Sequence, residues 1–521
     1  MGSVFFRLGL FSYRKDIPQK ERIRMSIIKV EHLTFAYPDQ PEEVFGDVNF
    51  TLDTDWKTGL IGRNGYGKTT FLRLLLGEYE YQGKIYNSRP CMYFPFAVPN
   101  KNNETMSLLS SLAPQAEEWE IEREISLLNV SYDALYRPFP TLSPGEQTKC
   151  LLAVLFLHED KYLLIDEPTN HLDSEGRKSV SNYLRRKKGF LLVSHDRVFL
   201  DACIDHVLVF EKEQIVIGKG NYSSYAENRR NREENQKAEN RKLEKEISRL
   251  KEASKQTQNW SDKVEQSKNG TRNSGLRPDK GYIGHKAAKM SQRAKNMERR
   301  SQMAIDEKEG LLNNIEESDS LNFQPHISSS NLVLSFHNVS LYYEERKPLF
   351  APISFSLKHG ERLAIEGRNG SGKSSFLKAI LQDEKIKHEG EIYLSPRLVL
   401  SYVPQNSSFL KGNLANFVKE NQLNKNLFFT LLIKLGFDPD SFTKEMTSYS
   451  FGEKKKVLLA RSLSQSADIY LWDEPLNYLD IEARVQIENL LVSSSPTMIF
   501  VEHDEAFRTK VATEVISLQE A

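Results

Sequence analysis

Cysteine is scarce in this chain. Cys91, Cys150 and Cys203 lie far apart in 521 residues and form no Cys-x-x-Cys pair. That excludes a zinc ribbon and suits a reducing cytosol. Long apolar runs are missing too. The longest candidates, such as Leu151 to Leu157, fall well short of the roughly 18–20 residues that cross a bilayer. No membrane span is expected, and so no transport by this chain alone. A secretory leader is not expected: Val4 to Phe11 is apolar but broken by Arg7, and no small-residue cleavage site follows. Residues 1–24 are therefore expected to be a disordered extension, with Met25 a natural start before the strand pattern Ile27 to Val30. Net charge is absent as well. Lys+Arg and Asp+Glu each number 71, which on its face argues against a nucleic-acid partner.

What the chain does have is enough apolar residues, 39% of the total, to bury cores in about three domains. It also has an internal repeat at long period. Gly62-Arg63-Asn64-Gly65-Tyr66-Gly67-Lys68-Thr69-Thr70 recurs as Gly367-Arg368-Asn369-Gly370-Ser371-Gly372-Lys373-Ser374-Ser375. Lys68 and Lys373 are 305 residues apart, Ser143 and Ser450 307, Asp166 and Asp473 307, His195 and His503 308. So constant an offset predicts two copies of one domain, at 25–222 and 326–521, with a different segment at 223–325 between them.

That middle segment breaks the charge neutrality. From Glu227 to Arg300 there are 21 Lys/Arg against 11 Asp/Glu. Two opposite fields therefore cancel in the total. Glu227 to Lys255 is polar and free of Pro and Gly, which predicts an exposed helix with i,i+4 charge pairs. Asn269 to Gly284 holds four glycines and Pro278 and reads as a loop. His285 to Leu312 reads as a second helix, completing a helical hairpin with a basic tip.

Gly-x-x-x-x-Gly-Lys-[Ser/Thr] is a phosphate-binding loop when a strand precedes it and a helix follows. Thr58 to Ile61 and Leu363 to Ile365 read as the strands, and Phe71 to Leu76 and Phe376 to Leu381 as the helices. Glycines allow backbone N–H groups to turn onto the phosphates. Lys68 and Lys373 neutralise the outer phosphates, and Thr69 and Ser374 offer hydroxyls to Mg²⁺. Tyr162 to Pro168 and Ile469 to Pro475 are apolar strands ending in Asp-Glu-Pro. Asp166 and Asp473 can hold Mg²⁺, and Glu167 and Glu474 can polarise the attacking water. His195 and His503 follow a third apolar strand in each copy, in reach of a γ-phosphate.

Leu142-Ser143-Pro144-Gly145-Glu146 and Tyr449-Ser450-Phe451-Gly452-Glu453, each shortly before an Asp-Glu strand, resemble the signature loop of ATP-binding-cassette ATPases. Two cassettes without a membrane part, with Asp473 to Asp480 and Gly220-Asn221-Tyr222-Ser223, resemble the ABC-F class. The resemblance implies an α/β fold: two tandem cassettes joined by a long α-helical hairpin, closing head to tail around two ATP molecules. Site one would join Lys68, Thr69, Asp166, Glu167 and His195 to Ser450 and Gly452. Site two would join Lys373, Ser374, Asp473, Glu474 and His503 to Ser143 and Gly145, with Glu146 and Glu453 beside the signatures. Tyr37 and Tyr343 stand where the family stacks adenine, though each can equally be ordinary packing. Two departures predict unequal sites. Gln405 in Tyr402-Val403-Pro404-Gln405 is the glutamine expected at Mg²⁺, whereas the first copy has Phe96, which cannot ligate a metal. Pro144 also removes an N–H donor from one signature.

Finer stretches resemble the Lsa- and Vga-type resistance factors of Gram-positive bacteria: Asp55 to Ile61, Trp119 to Glu124, Ser464 to Asp468 and Gly281 to Ala288. Lys68 to Ser143 and Lys373 to Ser450 span nearly equal lengths, leaving no room for the arm insertion of some housekeeping relatives. The resemblance implies a cytoplasmic monomer that binds the 70S ribosome in its tRNA exit site. The linker, through Lys263, Lys268, Arg272, Arg277, Lys280, Lys286, Lys289 and Arg293, would meet P-site tRNA and 23S rRNA. It would then displace lincosamides, streptogramin A compounds and pleuromutilins, with hydrolysis driving release. Neither membrane nor DNA is implied. A housekeeping translation factor on stalled ribosomes stays open, and, further off, the ATPase subunit of a drug transporter.

Overall fold

A computed structural model describes residues 26–38, 43–98, 102–170, 172–211, 214–266, scattered positions between 285 and 303, 332–343 and 347–519. The expected extension, residues 1–24, lies outside the described residues. The chain divides into two compact units, Met1–Tyr222 with Leu321–Ala521, and Ser223–Ser320.

The first unit holds two α/β cassettes of the same plan. In the first cassette the large sheet runs in the order Cys91–Phe94, Tyr162–Asp166, Phe190–Val193, Lys57–Gly62, His206–Phe210, Ile215–Lys219. All neighbours are parallel except the last pair. The second cassette repeats it as Leu400–Val403, Ile469–Asp473, Met498–Val501, Arg362–Glu366, Glu514–Ser517, parallel throughout. Helices cover such sheets on both faces, so their strands are apolar without alternation. Phe190–Val193 and Ile469–Asp473 are buried at every position. Each cassette adds a three-stranded antiparallel sheet: Glu43–Asp53, Ile27–Ala36, Gln82–Asn87 and Ile353–Lys358, Leu332–Tyr343, Ile386–Leu394. Ile27–Ala36 shows a partly alternating burial instead, as expected of a sheet with one wet face.

Register decides where the motifs meet. Val193 stands opposite both Leu60 and Asp166, and Val501 opposite both Ile365 and Asp473. Phosphate loop, Asp-Glu pair and histidine therefore emerge side by side at the carboxyl ends of three adjacent strands, where open α/β sheets bind ligands.

The second unit contains the helix Tyr222–Gln266, 45 residues, or about 68 Å at 1.5 Å per residue. It begins earlier and ends later than the expected 227–255. No Pro or Gly interrupts it, and Arg229–Glu233 (2.8 Å) and Arg230–Glu234 (3.5 Å) are i,i+4 pairs. The described positions between 285 and 303 are helical. The expected loop at 269–284 lies outside the described residues.

Candidate ATP sites

Each phosphate loop opens a helix, Lys68–Leu76 or Lys373–Ile380, through a glycine in the left-handed region: Gly67 at φ 81° and Gly372 at φ 90°. A Cβ on Gly67 would lie 2.7 Å from both the Phe45 ring and Val44, so the position excludes a side chain twice over. The lysines fold back on their own loops. Lys68 Nζ donates to Gly62 O (2.6 Å) and Arg63 O (2.9 Å), and Lys373 Nζ to Gly367 O and Arg368 O (both 2.8 Å). Burial lowers the pKa of both ammonium groups. A buried cation on a glycine-rich loop at a helix N-terminus suits a phosphate chain.

Glu167 (φ 49°) and Glu474 (φ 46°) sit in the left-handed region although neither is glycine. Their N–H groups are pinned to Val193 O (2.9 Å) and Val501 O (3.0 Å). Such strain persists only where neighbours over-determine it, and it aims the side chain. The carboxylates face the histidines, Glu167 Oε1 to His195 Nε2 at 3.5 Å and Glu474 Oε1 to His503 Nε2 at 3.7 Å. Burial, then the neighbouring Asp166, pushes Glu167 up to about 8. Burial, with Lys373 and Arg177 next, pulls His503 down to about 3. His195 is held well below its usual value by burial and by Lys68. Both imidazoles are therefore neutral at physiological pH, able to donate through one nitrogen.

The cassettes meet head to tail. Asn64 Nδ2 donates to Tyr478 O (3.1 Å), Asn64 N to Asp480 Oδ2 (3.4 Å), and Arg63 pairs with Glu482. Gly452 lies against the same loop: a Cβ there would come within 2.8 Å of Tyr478 O and 3.5 Å of Asn64 Nδ2. On the other side, a cavity of about 430 Å³ is walled by Asn369, Lys373, Ser374, Glu474 and His503 together with Pro144, Leu172 and Arg177. Each phosphate loop thus faces the opposite cassette's signature region.

The signature serines cap helices. Ser143 precedes Pro144–Leu155 and Ser450 precedes Phe451–Ser464. Glu146 accepts from Ser143 N (2.9 Å) and Oγ (2.8 Å), and Glu453 from Ser450 N and Oγ (both 2.8 Å). These are reciprocal capping boxes. The two glutamates, expected beside the signatures among the ATP-binding residues, close the helix starts through these contacts. Pro144 takes the first helical position, where no intrahelical bond needs its N–H.

Tyr37 and Tyr343 are tied to the loop helices. Tyr37 shares a hydrogen bond with Thr70 (2.8 Å) and Tyr343 with Ser375 (3.0 Å). Tyr37 also packs edge-on against Phe35 and Tyr79, whereas Tyr343 lines the site-two cavity.

The metal ends differ. Tyr93 donates its hydroxyl to Asp166 Oδ2 (2.9 Å), and Phe96 lies half-buried with its ring edge-on to Phe94. Asp473 is buried, its Oδ1 has no hydrogen-bond partner, and Gln405 lines the adjacent cavity. Burial pushes Asp473 up to about 6. Among the described residues no group of three or more His, Cys, Asp and Glu side chains forms a metal cage. A single orphaned carboxylate oxygen with Ser374 and Gln405 instead fits Mg²⁺, which binds through one or two carboxylates plus substrate phosphates.

Of the expected linker contacts, Lys263 lies in the helix Tyr222–Gln266 and Lys289 is helical and exposed. Lys268, Arg272, Arg277, Lys280, Lys286 and Arg293 lie outside the described residues. Sequence reasoning missed Arg177, Arg484 and Asn477. Arg177 and Arg484 recur 307 residues apart, so the repeat offset carried the signal. Asn477 Nδ2 donates to Glu474 Oε2 (2.7 Å).

The family model for ABC transporters matches residues 45–170 and 350–477. The ribosome protection protein VmlR of Bacillus subtilis (strain 168) is 29% identical over 489 residues, covering 93% of this chain and 85% of that protein. The chain belongs to the ABC-F ATPases. Like other ABC ATPase domains, those of this ABC-F protein hydrolyse ATP. The putative ATP-binding protein YdiF of the same organism is 25% identical over 95% of this chain and 80% of its own length. An archaeal ribosome recycling factor, solved with an archaeal ribosomal stalk protein, has the same fold: TM-score 0.57, 20% identity, 88% of this chain and 82% of that one. No helix among the described residues of this ABC-F ATPase is long and apolar enough to cross a membrane.

Proposed function

We propose that this ABC-F ATPase protects the ribosome from drugs of the peptidyl-transferase centre. The observation that carries the reading is the likeness to a ribosome protection protein along 93% of the chain, a span that takes in the helix Tyr222–Gln266 as well as both cassettes. With ATP in both sites the cassettes stay closed, and the protein occupies the tRNA exit site of the 70S ribosome. The basic linker runs along P-site tRNA to 23S rRNA and displaces lincosamides, streptogramin A compounds and pleuromutilins. The protein works in the cytoplasm as a monomer.

At each site the loop lysine and the opposite signature helix hold the phosphates. Glu474 or Glu167 orients the attacking water, and the neutral histidine donates to the γ-phosphate. Ser374, Asp473 and Gln405 at site two, and Thr69 and Asp166 at site one, would hold Mg²⁺, which would supply positive charge against the phosphates. Hydrolysis reopens the cassettes and releases the factor.

The test is drug susceptibility of a Gram-positive host that expresses the chain or its Glu167→Gln, Glu474→Gln double variant at matched levels. Resistance with wild type, lost with the variant, is the expected result. No resistance, with the variant trapped on ribosomes by ATP, would replace this reading by a housekeeping role in translation. Drug efflux without ribosome binding would replace it by a transporter subunit.

A further inference from the structure

Arg177 belongs to the first cassette but lines the second site. Its Nη1 donates to Asp196 Oδ2 (2.8 Å) and its Nε to Leu172 O (3.2 Å). Asp196 follows His195 directly, and its other oxygen accepts from Phe199 N (3.0 Å) to start the helix Arg197–Cys203. The guanidinium is therefore tethered to the histidine turn of site one. Yet Arg177 and His503 wall the same site-two cavity, and they meet again in a smaller one of about 50 Å³ with Asp196, Ser174 and Glu505. A planar fork with five donors can satisfy its own cassette on one side and face a ligand on the other.

The mirror arrangement exists but is more tightly enclosed. Arg484 Nη1 donates to Asp504 Oδ2 (3.0 Å) and its Nε to Leu479 O (3.0 Å). Those side chains are 7% and 0% exposed, against 13% and 6% for Arg177 and Asp196. Glu502 stands where site one has Ser194, and it accepts from His503 N (2.7 Å), Asp504 N (3.3 Å) and Leu476 N (3.2 Å). The second histidine turn is thus clamped by its own carboxylate as well as by Arg484, while the first has only a hydroxyl there, Ser194 Oγ accepting from Asp196 N (3.2 Å), beside the Arg177 tether.

We infer that Arg177 is a positioning residue acting in trans: it carries the state of the His195–Asp196 turn at site one to His503 at site two. Nucleotide at site one draws on His195 and shifts the Asp196 tether. Arg177 then sets the place of His503 against the γ-phosphate of site two. The coupling runs mainly from site one to site two, because the mirror pair has less room to move.

The inference rests on hydrolysis at site two, so the experiment uses the full chain carrying Glu167→Gln, in which site two turns over ATP. Adding Arg177→Ala is expected to lower kcat about tenfold, with KM for ATP changed less than about twofold, and Arg177→Lys to recover part of the loss. Adding Lys68→Ala, which removes nucleotide from site one, is expected to make Arg177→Ala nearly silent. A merely structural role predicts the same loss with and without Lys68→Ala. That additive result, or an unchanged kcat in the Arg177→Ala chain with its melting temperature preserved, would overturn the coupling. Turnover in the Glu167→Gln parent no higher than in the Glu167→Gln, Glu474→Gln chain would overturn both the coupling and its premise. Turnover in the parent with additive variants would overturn the coupling alone.

Discussion

At site one the Tyr93 hydroxyl rests on Asp166 and a phenyl ring stands at position 96. At site two the aspartate keeps one oxygen without a partner and Gln405 borders the cavity. The loop ends differ in the opposite sense. Arg63 and Glu482 form a close pair, each about one-third exposed, and Asn64 makes two further bonds across the interface. The equivalent Arg368–Glu175 pair is 4.0 Å apart and 72% and 81% exposed. Site one thus has the tighter and less exposed loop-end pair, and site two the unpartnered aspartate oxygen with a glutamine at the cavity wall. Duplication supplied the same motifs twice, and a few wall positions make the copies unlike.

The largest expected effect separates the two glutamates. Glu474→Gln should cut steady-state ATP turnover by about a hundredfold, in the range of a lost general base. Glu167→Gln should cost only about threefold. If Glu167→Gln proves the more damaging, the assignment of the two sites is reversed.

A second experiment tries to make site one resemble site two. In a Glu474→Gln chain, Tyr93→Phe with Phe96→Gln frees Asp166 and restores the missing amide oxygen. Site-one turnover should rise about tenfold and half-maximal Mg²⁺ should fall. No change would mean that the metal end does not cause the asymmetry.

The caps should behave alike in both cassettes. Ser143→Ala and Ser450→Ala each remove a capping box and should cost about 1 kcal/mol by denaturant unfolding. A marked inequality would show that one serine carries more than its helix.

The smallest effect is at the loop ends. Glu482→Gln should weaken ATP-driven closure by no more than about 1 kcal/mol, and Arg368→Ala should leave it unchanged within error. Fluorescence between labels on the two cassettes would read both.

Much of this was legible in one dimension. A phosphate loop is a local chain of glycines, lysine and hydroxyl, so its strand and helix follow from adjacent residues. The Asp-Glu strands read as buried because an unbroken apolar run can serve only in a sheet covered on both faces. The near-constant offset paired every motif with its copy, and Phe96 and Pro144 already marked the copies as unequal. The helix Tyr222–Gln266 was underestimated at both ends because uncapped polar helices give no sharp stop signal.

Other features were beyond such reading. Glu146 and Glu453 carry the spacing of a capping box, but only the folded helix start shows that it closes. That the Tyr93 hydroxyl reaches Asp166, 73 residues on, depends on two neighbouring strands in register. That Arg177 reaches the cavity of His503 depends on how one cassette turns against the other. By itself the amino-acid sequence determined the chemistry and its duplication, because those reside in contiguous motifs with their own local geometry. Tertiary structure alone decided which groups share a wall and which aspartate oxygen is left unpartnered. Contacts between residues hundreds of positions apart are set by packing, and packing leaves no mark on any short stretch of chain.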